Sequence, residues 1–372
     1  MNNKLDNMRE ERKKIVNDYT GKALYKTHVD EMVGDNNDLQ YVIVKEVIQE
    51  TPDTKSFILV PNLEAGTNEL MPFKAGQFIS VKLNINEEYV SRAYSLSSSP
   101  KTKNEYRITI KRAKDGLVSN YMCDNVKKGD SLVISRPAGN FGYNKLRDES
   151  NVIGIAGGVG LTPIMSHALA IMDGILDFNL TIFYSVRTVN DIMFKKEIDY
   201  INKKSSKVRF VITLTKEEQE GYLHGYINKE MIAPYLQEFN TVLMCGTPSL
   251  YKSMNTVLSE LNIPKKSVHF EAYAAAYEPE EVKTYELKVI LKNDFIETTC
   301  RSNETLLVAM EKAKIKAPSL CRVGVCGYCR SILLEGRIKM VGGNINEAEA
   351  SNDYIHPCVS YPDSNITLRL DI

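Results

Sequence analysis

Apolar and polar residues alternate along TYELKVILKNDFIETTC, late in the sequence, and this pattern predicts a β-hairpin. The segment NETLLVAMEKAKI, which follows it, has its apolar residues at helical spacing instead. A further alternating run, NITLRLDI, predicts a closing strand. The region from residue 284 onward therefore combines a hairpin, a helix and another strand.

Longer apolar runs mark the middle of the sequence, and helical segments follow them. The predicted strands are NVIGIAGG, LTIFYSV, VRFVITLT and TVLMC. Strands that alternate with helices predict a parallel sheet with right-handed crossovers. Ligands bind such sheets at the carboxyl ends of the strands. The segments Gly157–Thr162, Ser185–Arg187 and Cys245–Pro248 fall there.

Shorter runs, bounded by glycine and polar residues, fill the region between residues 40 and 145. FKAGQFISVKL, EYVSRAYS and KKGDSLVIS each predict a strand. The residues before position 40 match none of these patterns. They are polar and charged, and they predict either a charged helix with a ragged apolar stripe or a solvated extension.

The length of 372 residues is typical of two or three domains. Lys plus Arg and Asp plus Glu both total 47, so the basic excess of a nucleic-acid-binding protein is missing. The first residues lack the apolar segment of a secretory signal. No run approaches the ~20 apolar residues that span a bilayer. We therefore expect a soluble, cytoplasmic protein that binds neither nucleic acid nor membranes.

Four of the seven cysteines form a pattern of C-x4-C-x2-C followed by a distant fourth cysteine. They are Cys321, Cys326, Cys329 and Cys358. A [2Fe–2S] cluster needs four thiolates, and a short loop lets backbone N–H groups point at its sulfides. Gly324 and Gly327 suit such a loop because no side chain blocks the approach. A structural zinc site is the alternative, although zinc more often takes two close C-x2-C pairs.

The remaining cysteines, Cys123, Cys245 and Cys300, stand alone. An odd total without an export signal argues against a disulfide framework. Cys300 lies in a predicted strand and is interpreted as a small buried residue rather than a ligand.

The segment EYVSRAYSLSSSP contains an R-x-Y-S pattern formed by Arg92, Tyr94 and Ser95. On a strand, Arg92 and Tyr94 share one face. An arginine there can pair with a pyrophosphate, and a tyrosine can lie against an isoalloxazine ring. The pattern is short and by itself also fits any edge strand.

A second phosphate-binding pattern follows in GLVSNYM, which predicts a turn that opens a short helix at Gly116. The N–H groups of Val118 and Ser119 would then face a phosphate. The turn GGVG, at Gly157, Gly158 and Gly160, allows similar close approach to a diphosphate. Thr162 and Pro163 open the helix after it.

In this order, the segments resemble the ferredoxin–NADP reductase superfamily fused to a C-terminal plant-type ferredoxin. The resemblance implies a multidomain protein with an antiparallel β-barrel flavin domain, an α/β parallel-sheet nicotinamide domain and an α+β β-grasp ferredoxin domain. The expected boundaries are 1–39 for an N-terminal extension, 40–147 for the barrel, 148–273 for the nicotinamide domain, 274–283 for a linker and 284–372 for the ferredoxin domain.

The resemblance also implies roles for individual residues. Arg92 would contact the flavin diphosphate, Tyr94 the ring or ribityl chain, and Ser95 the region of the flavin N5. FAD is favoured over FMN because the Gly116–Ser119 turn suits a dinucleotide. The implied catalytic residues are Ser95, Cys245 and Glu271. The other implied cofactor contacts are Ala93, Leu117, Gly246, Phe270 and Tyr273, in addition to the glycine turns; Phe270 alternatively fits a plain core position.

The nicotinamide motifs of that superfamily are G-G-x-G-x-T-P, Y-x-x-R before D-x-x-F-x-x-E, and C-G-P. The chain carries GGVGLTP, YSVRTVNDIMFKKE and MCGTP, the last with one inserted threonine before Pro248. Cys245 is either part of the nicotinamide pocket or a buried cysteine at a strand end. Arg187 suits a ribose 2′-phosphate, the adenosine side or a solvated loop. The sequence therefore leaves NADH and NADPH open.

Electron counting predicts the order of transfer. A nicotinamide delivers two electrons as a hydride and a [2Fe–2S] cluster takes one at a time, so the flavin lies between them. We therefore expect an NAD(P)H-dependent oxidoreductase that passes electrons to a protein acceptor such as an oxygenase, a demethylase or a hybrid-cluster protein. The alternative is a non-catalytic electron-transfer subunit. Arg322 and Arg330 adjoin cluster ligands; they are expected either to raise the cluster's potential and form a basic docking surface, or to be solvated surface charges.

Overall fold

Three β-sheets follow one another along the chain in the computed structural model. The structure describes residues 39–86, 88–272, 277, 279–292, 294–324, 326–341 and 345–370. The predicted N-terminal extension, part of the predicted linker and the predicted flavin contact Tyr273 lie outside these residues. Residues 40–371 form one unit by their internal contacts. The predicted domain boundaries within it stay predictions.

The first sheet is antiparallel and closes into a barrel. Its strands are β1 (Leu39–Thr51), β2 (Thr54–Pro61), β3 (Phe78–Ile85), β4 (Glu88–Ser95), β5 (Tyr106–Lys111) and β6 (Ser131–Ser135), with helix α1 (Leu117–Asn125) before β6. Their order is β4-β3-β6-β1-β2-β5. A bridge between Leu96 and Ile108 joins the two edges of the sheet. The predicted barrel is therefore confirmed.

Alternation along β3 gives its two faces different tasks. Ile79 and Val81 are fully buried in the core of the barrel. Phe78 and Ser80, on the opposite face, contact Leu320 of the cysteine loop, which we define as residues 317–330. Because side chains of a strand alternate between faces, one strand both fills the barrel and supports this loop.

The second sheet is parallel. Its strands are β7 (Asn151–Gly157), β8 (Asn179–Val186), β9 (Val208–Leu214), β10 (Leu223–His224), β11 (Thr241–Gly246) and β12 (Val268–Ala272), in the order β10-β9-β8-β7-β11-β12. The helices of this region are α2 (Leu161–Met172), α3 (Lys195–Lys204), α4 (Lys229–Ile232) and α5 (Pro248–Glu260). Each pair of neighbouring strands is parallel, as the sequence predicts.

The order of these strands reverses direction between β7 and β11. From β7 the chain builds outward through β8, β9 and β10, and then continues on the other side with β11 and β12. Such a switch point leaves a crevice at the carboxyl ends of the strands, where ligands bind. Gly157 pairs with Ser185, and Ala156 pairs with Cys245, so the predicted ligand segments do share this edge.

The third sheet is mixed and has the order β14-β13-β19-β15-β17. The strands of this region are β13 (Thr284–Leu291), β14 (Asp294–Arg301), β15 (Ser331–Glu335), β16 (Ile338–Met340), β17 (Tyr354–Ile355), β18 (Ser360–Pro362) and β19 (Ile366–Leu370). The helices are α6 (Leu306–Lys312) and α7 (Glu347–Ala350), and β16 pairs with β18 separately. The predicted hairpin is β13–β14. The predicted closing strand, β19, lies in the middle of the sheet.

The helices in the described part of the chain are too short or too polar to span a bilayer.

Candidate functional site

The cysteine loop brings the four predicted ligands together. The Cys326 sulfur lies at hydrogen-bonding distance from Cys321, and Cys358 lies at that distance from both Cys321 and Cys329. The hydrogen bond with the Cys321 sulfur, together with burial, raises the pKa of Cys326, and the hydrogen bonds with Cys321 and Cys329 raise that of Cys358. The bond from Cys358 lowers the pKa of Cys329. The four sulfurs therefore form two close pairs that share a contact.

Such a set of donors fits an iron–sulfur cluster. Four thiolates crowded into a buried pocket repel one another unless a metal centre balances their charge. Cys321, Cys329 and Cys358 are buried, and Cys326 is partly exposed. Among the described residues, no group of three or more His, Cys, Asp or Glu side chains is placed to hold a single metal ion.

The backbone of the loop is shaped to surround the sulfurs. Gly324 and Gly327 have φ values of 70° and 71°, which favour glycine, and Arg322 also has a positive φ, of 59°. The N–H of Val323 donates to the Cys321 sulfur and the N–H of Tyr328 to the Cys326 sulfur, both at 3.5 Å. The loop thus turns its N–H groups inward, as the sequence predicts.

Strand β4 carries the predicted flavin motif. Tyr94 packs partly buried against the barrel core, and its burial raises the pKa of the phenol. Ala93, on the other face of β4, packs against the cluster formed by Phe78, Leu320 and Cys321. The motif R-x-Y-S is therefore on a strand, and Ala93 is placed toward the loop rather than toward the barrel core.

The predicted phosphate-binding turn leads into helix α1. Gly116 is the N-cap of α1. Among the described residues, no side chain accepts a hydrogen bond as a cap of its first turn. Helix N-termini with uncapped N–H groups favour anions. Val118 is buried and Leu117 is 41% exposed. The Ser119 hydroxyl accepts a hydrogen bond from the Ala113 N–H at 3.1 Å, which fixes the turn.

Arg92 does not point freely from its strand. Its Nη1 donates to the Ser91 carbonyl oxygen at 2.7 Å and lies 3.4 Å from Oε2 of Glu311 on α6. Burial lowers the pKa of the Arg92 guanidinium. The predicted diphosphate contact is therefore also a contact between the barrel and the third sheet region.

Ser95 and Glu271, two of the predicted catalytic residues, meet although 176 positions separate them in the chain. The Ser95 hydroxyl donates to Oε2 of Glu271 at 3.2 Å. Burial raises the pKa of Glu271 to about 8, although the bond from Ser95 opposes that shift. A protonated carboxyl group next to a hydroxyl can hold or move a proton near neutral pH.

The glycine turn after β7 meets the end of β11 at the switch point. A Cβ atom at Gly160 would lie 2.1 Å from the Cys245 carbonyl oxygen, and one at Gly246 would lie 2.5 Å from Leu250. Only residues without side chains allow the two segments this approach. The turn itself is a short 3-10 helix over Gly158–Gly160, and the Thr162 hydroxyl donates to the Val159 carbonyl oxygen at 2.9 Å.

Cys245, the third predicted catalytic residue, is fully buried and belongs to the core of the second sheet. Tyr251 on α5 contacts Cys245 through its side chain. The Tyr251 hydroxyl accepts from the Gly246 N–H at 3.0 Å and donates to the Glu271 carbonyl oxygen. It therefore ties the end of β11 to β12 and fixes the edge that carries Glu271.

Phe270 extends from β12 and is 66% exposed. The alternative interpretation of Phe270 as a core residue is therefore wrong, because an exposed aromatic ring beside Tyr251 is not packed inside. Arg187 follows β8 and is also exposed, at 57%, with its guanidinium 3.7 Å from Asp191. An acidic group thus accompanies Arg187, for which the sequence left open a ribose 2′-phosphate, the adenosine side and a solvated loop.

The D-x-x-F-x-x-E motif joins the second sheet to the barrel. Phe194 lies under the Arg107 guanidinium at 4.5 Å, and Glu197 accepts from Arg107 Nη1 at 2.7 Å. The Phe194 N–H donates to Glu50 at 3.1 Å. Because Arg107 and Glu50 belong to the barrel, the motif connects the second sheet to the barrel.

The expectation that Arg322 forms a basic docking surface is wrong. Its side chain is 10% exposed and pairs with Glu311, and burial lowers its pKa to about 9. Arg330 is 24% exposed, lies 3.7 Å from Glu349 and stacks on Tyr354. Both guanidinium groups are occupied by partners within the protein.

Sequence reasoning missed Glu311 and Tyr251. Glu311 follows Leu307 by four residues on α6, so an acidic side chain stands on the apolar stripe of the helix. Such a charge in a buried position signals an ion pair. Tyr251 gave no comparable signal, because a tyrosine on an amphipathic helix is common.

Three protein-family models match the chain in the predicted order. They are an oxidoreductase FAD-binding domain over residues 42–143, an oxidoreductase NAD-binding domain over residues 155–256, and a 2Fe-2S iron-sulfur cluster binding domain over residues 290–363. The expected cofactors, FAD, a nicotinamide nucleotide and a [2Fe–2S] cluster, are confirmed, and the zinc alternative is wrong.

Two curated relatives match this chain over most of their length. The chain is 29% identical over 348 residues to a glycine betaine monooxygenase reductase subunit of Chromohalobacter salexigens. This match covers 87% of this chain and 93% of that protein. It is 27% identical over 332 residues to the NADH oxidoreductase HCR of Escherichia coli, covering 87% and 96%.

Among solved structures, phthalate dioxygenase reductase matches with a TM-score of 0.68 and 23% identity, over 90% of this chain and 98% of that one. This likeness extends through all three sheets and confirms the predicted fold class.

Proposed function

Since the chain belongs to the ferredoxin–NADP reductase superfamily and carries a C-terminal [2Fe–2S] domain, we propose that it is the reductase component of an oxygenase system. It is an NAD(P)H-dependent oxidoreductase. When bound, the nicotinamide supplies a hydride, FAD accepts two electrons and releases them singly, and the cluster accepts one at a time. The relatives named as monooxygenase reductase subunits and components support the oxygenase partner.

One contact carries the proposal: the cysteine loop packs directly on the strands of the flavin motif. Phe78 of β3 contacts Leu320 and the ligand Cys321. Ser91 of β4 shares a hydrogen bond of 2.8 Å with Ser319. A protein that passes electrons from a flavin site to a cluster needs these two sites to be neighbours. In this structure they are neighbours without any movement of the domains.

The residues of the flavin and nicotinamide sites take separate tasks in this proposal. Arg92 and the N-terminus of α1 bind the diphosphate, and Tyr94 orients the ring. Gly157, Gly160 and Gly246 shape the crevice for the nicotinamide. Ser95 and Glu271 hold a proton at the edge of this crevice, because their hydrogen bond lies at the carboxyl ends of β4 and β12.

We further propose NADH as the donor. The Asp191 carboxylate lies 3.7 Å from Arg187, so it already neutralises the arginine that a ribose 2′-phosphate would need. A phosphate placed there would also be repelled by that carboxylate. The acceptor is proposed to be a cytoplasmic protein, since relatives are named as reductase subunits and components of monooxygenases.

The test uses the full chain, purified without oxygen. We expect FAD and two iron atoms per chain, a brown-red colour, and rapid bleaching by NADH, with a kcat/KM for NADPH at least about tenfold lower, which is about 1.4 kcal/mol of transition-state stabilisation. The variant Cys329→Ser should lose the iron and keep FAD. Cys300→Ala is the matched control, because it removes a buried cysteine of the same region that is not a ligand.

A wild-type preparation that lacks flavin or iron would contradict the proposal. Slow bleaching by both nucleotides would instead favour the alternative of a non-catalytic electron-transfer subunit. Loss of iron in Cys300→Ala to the same extent as in Cys329→Ser would show that the cluster depends on the fold of the region rather than on the predicted ligands.

A further inference from the structure

A buried group of three charges lies where the barrel meets the cysteine loop. Glu311 of α6 has a side chain that is 6% exposed. Its Oε2 lies 3.4 Å from Arg92 of β4, and its Oε1 contacts Arg322 of the cysteine loop. One carboxylate thus connects the strand of the flavin motif with the residue that follows the ligand Cys321.

The charges of this group do not balance. Two guanidinium groups share one carboxylate, which leaves one excess positive charge in a place that is mostly shielded from water. Both groups that the proposed function puts beside it are anionic: a diphosphate next to Arg92 and four thiolates next to Arg322. The inference rests on that proposed function, and Glu311 is the group that holds the two arginines together between these anions.

Other contacts across the same junction do not involve charge pairs. The Ser80 hydroxyl donates to the Leu320 carbonyl oxygen, and Lys316 lies over the Tyr89 ring at 4.3 Å. Together with the Phe78 and Ser91 contacts, they keep the two parts joined. Neutralising Glu311 should therefore loosen the loop locally and leave the fold intact.

We propose that Glu311 is a positioning residue, which fixes the cysteine loop on β4 at the spacing that electron transfer between the flavin site and the cluster requires. Without its charge, Arg92 and Arg322 face each other unscreened and move apart. The loop that carries Cys321 then shifts away from the strand. The crevice proposed for NADH, at Gly157, Gly160 and Gly246, does not contain Glu311, so reduction of FAD that is already bound should change little.

The experiment compares Glu311→Gln with Glu304→Gln in the full, cofactor-loaded chain. Glu304 is a good control because its side chain is also shielded, at 11% exposure, and pairs with Lys312 of the same sheet region. In anaerobic stopped-flow mixing with NADH, flavin reduction should stay within about twofold in both variants. Cluster reduction should become about tenfold slower in Glu311→Gln, equivalent to about 1.4 kcal/mol of barrier.

A second readout does not depend on electron transfer. Backbone hydrogen exchange across residues 319–324 should be faster in Glu311→Gln than in the wild type, and unchanged in Glu304→Gln. Iron content should be equal in all three. Glu311→Asp keeps the charge and should recover part of both effects, which also provides a test should Glu311→Gln fold poorly.

Unchanged exchange and unchanged cluster reduction in Glu311→Gln would overturn the proposal. Equal effects in Glu304→Gln would overturn it as well, because the cause would then be general instability. Failure of the proposed function looks different: the wild-type chain itself would not bleach with NADH, while the exchange comparison would still decide the role of Glu311.

Discussion

At the scale of single residues, Glu271 is a group whose chemistry depends strongly on its surroundings. Burial raises its pKa to about 8 from an ordinary value of 4.5. The side chain is therefore protonated in the folded protein at pH 7, whereas it is ionised in the unfolded chain. A group of this kind favours the folded state at low pH, and its contribution disappears as the pH rises through the folded-state pKa.

The variant Glu271→Gln should remove that dependence. Between pH 5 and pH 8, the Tm of the wild type should fall relative to that of the variant by at least about 3 °C, because the unfolded wild-type chain gains stability as its carboxyl ionises. Thermal unfolding at several pH values measures the difference. A constant difference across this range would show that the Glu271 carboxyl titrates normally.

Ser95→Ala tests the hydrogen bond to the same group. The Ser95 hydroxyl donates to the carboxylate form and so opposes the raised pKa of Glu271. Removing this hydroxyl should raise the pKa of Glu271 further. The decline of the Tm with rising pH should then end at a higher pH in Ser95→Ala than in the wild type. The same thermal measurements provide the comparison.

At the scale of elements, the two turns at the switch point depend on close backbone contact. Gly160→Ala should raise the KM for NADH about tenfold, because a Cβ atom 2.1 Å from the Cys245 carbonyl forces the end of β11 to move. Gly174→Ala is the control. Gly174 has a positive φ of 73°, and a Cβ atom added there would meet no other atom within 4 Å, so its cost is conformational and remote from the crevice.

Steady-state kinetics and the Tm of both variants separate the two effects. We expect Gly174→Ala to lower the Tm with an unchanged KM, whereas Gly160→Ala changes both. A KM that stays constant in Gly160→Ala would mean that NADH does not use this edge of the sheet.

Local elements could be predicted because their signals are local. The β13–β14 alternation, the R-x-Y-S strand and the helix that opens at Leu117 all follow from neighbours in the sequence. The ligands Cys321 to Cys329 are recognised for the same reason, since their spacing within one loop carries the information. Such patterns hold because propensity and burial agree along a few residues.

Contacts between distant segments could not be predicted in this way. Arg92 was interpreted from its own strand, but its partner Glu311 lies 219 positions further on. Arg322 was interpreted as a surface charge because the sequence does not show that the barrel covers its loop. For Phe270 the sequence left a core position open, since an aromatic residue in an apolar strand is more often buried, and only the structure shows its exposure.

At the scale of the whole molecule, Asp148 joins the barrel to the second sheet. It accepts hydrogen bonds from His269 of β12 at 2.7 Å, from Arg147 at 2.7 Å and from the Asn144 N–H at 2.7 Å. Burial opposes ionisation of this carboxyl, but these donors outweigh it and lower the pKa of Asp148. The ionised side chain therefore stabilises the connection at neutral pH.

Asp148→Asn should lower the Tm at pH 7 by at least about 5 °C, since removing one partner from a buried charged group costs about 3 kcal/mol. The lowered pKa means that this contribution is present above pH 3.8 and is lost as the pH falls through the folded-state value. The difference between the proteins should therefore shrink below pH 4. Asp177→Asn, at an 85% exposed ion pair with Lys207, should change the Tm by no more than about 1 °C.

The position of β19 has a consequence for how the protein is made. This strand pairs with β13 on one side and with β15 on the other, although it is translated after both. During synthesis, at ~5–20 residues per second, the β13–β14 hairpin and β15 thus wait as separate pieces with unpaired edges. Cys321, Cys326 and Cys329 are made before β15, and Cys358 is made before β19, so all four thiols precede the central strand. The sheet that carries the cysteine loop is therefore complete only once residues 366–370 have been made, after all four cysteines of the predicted cluster site.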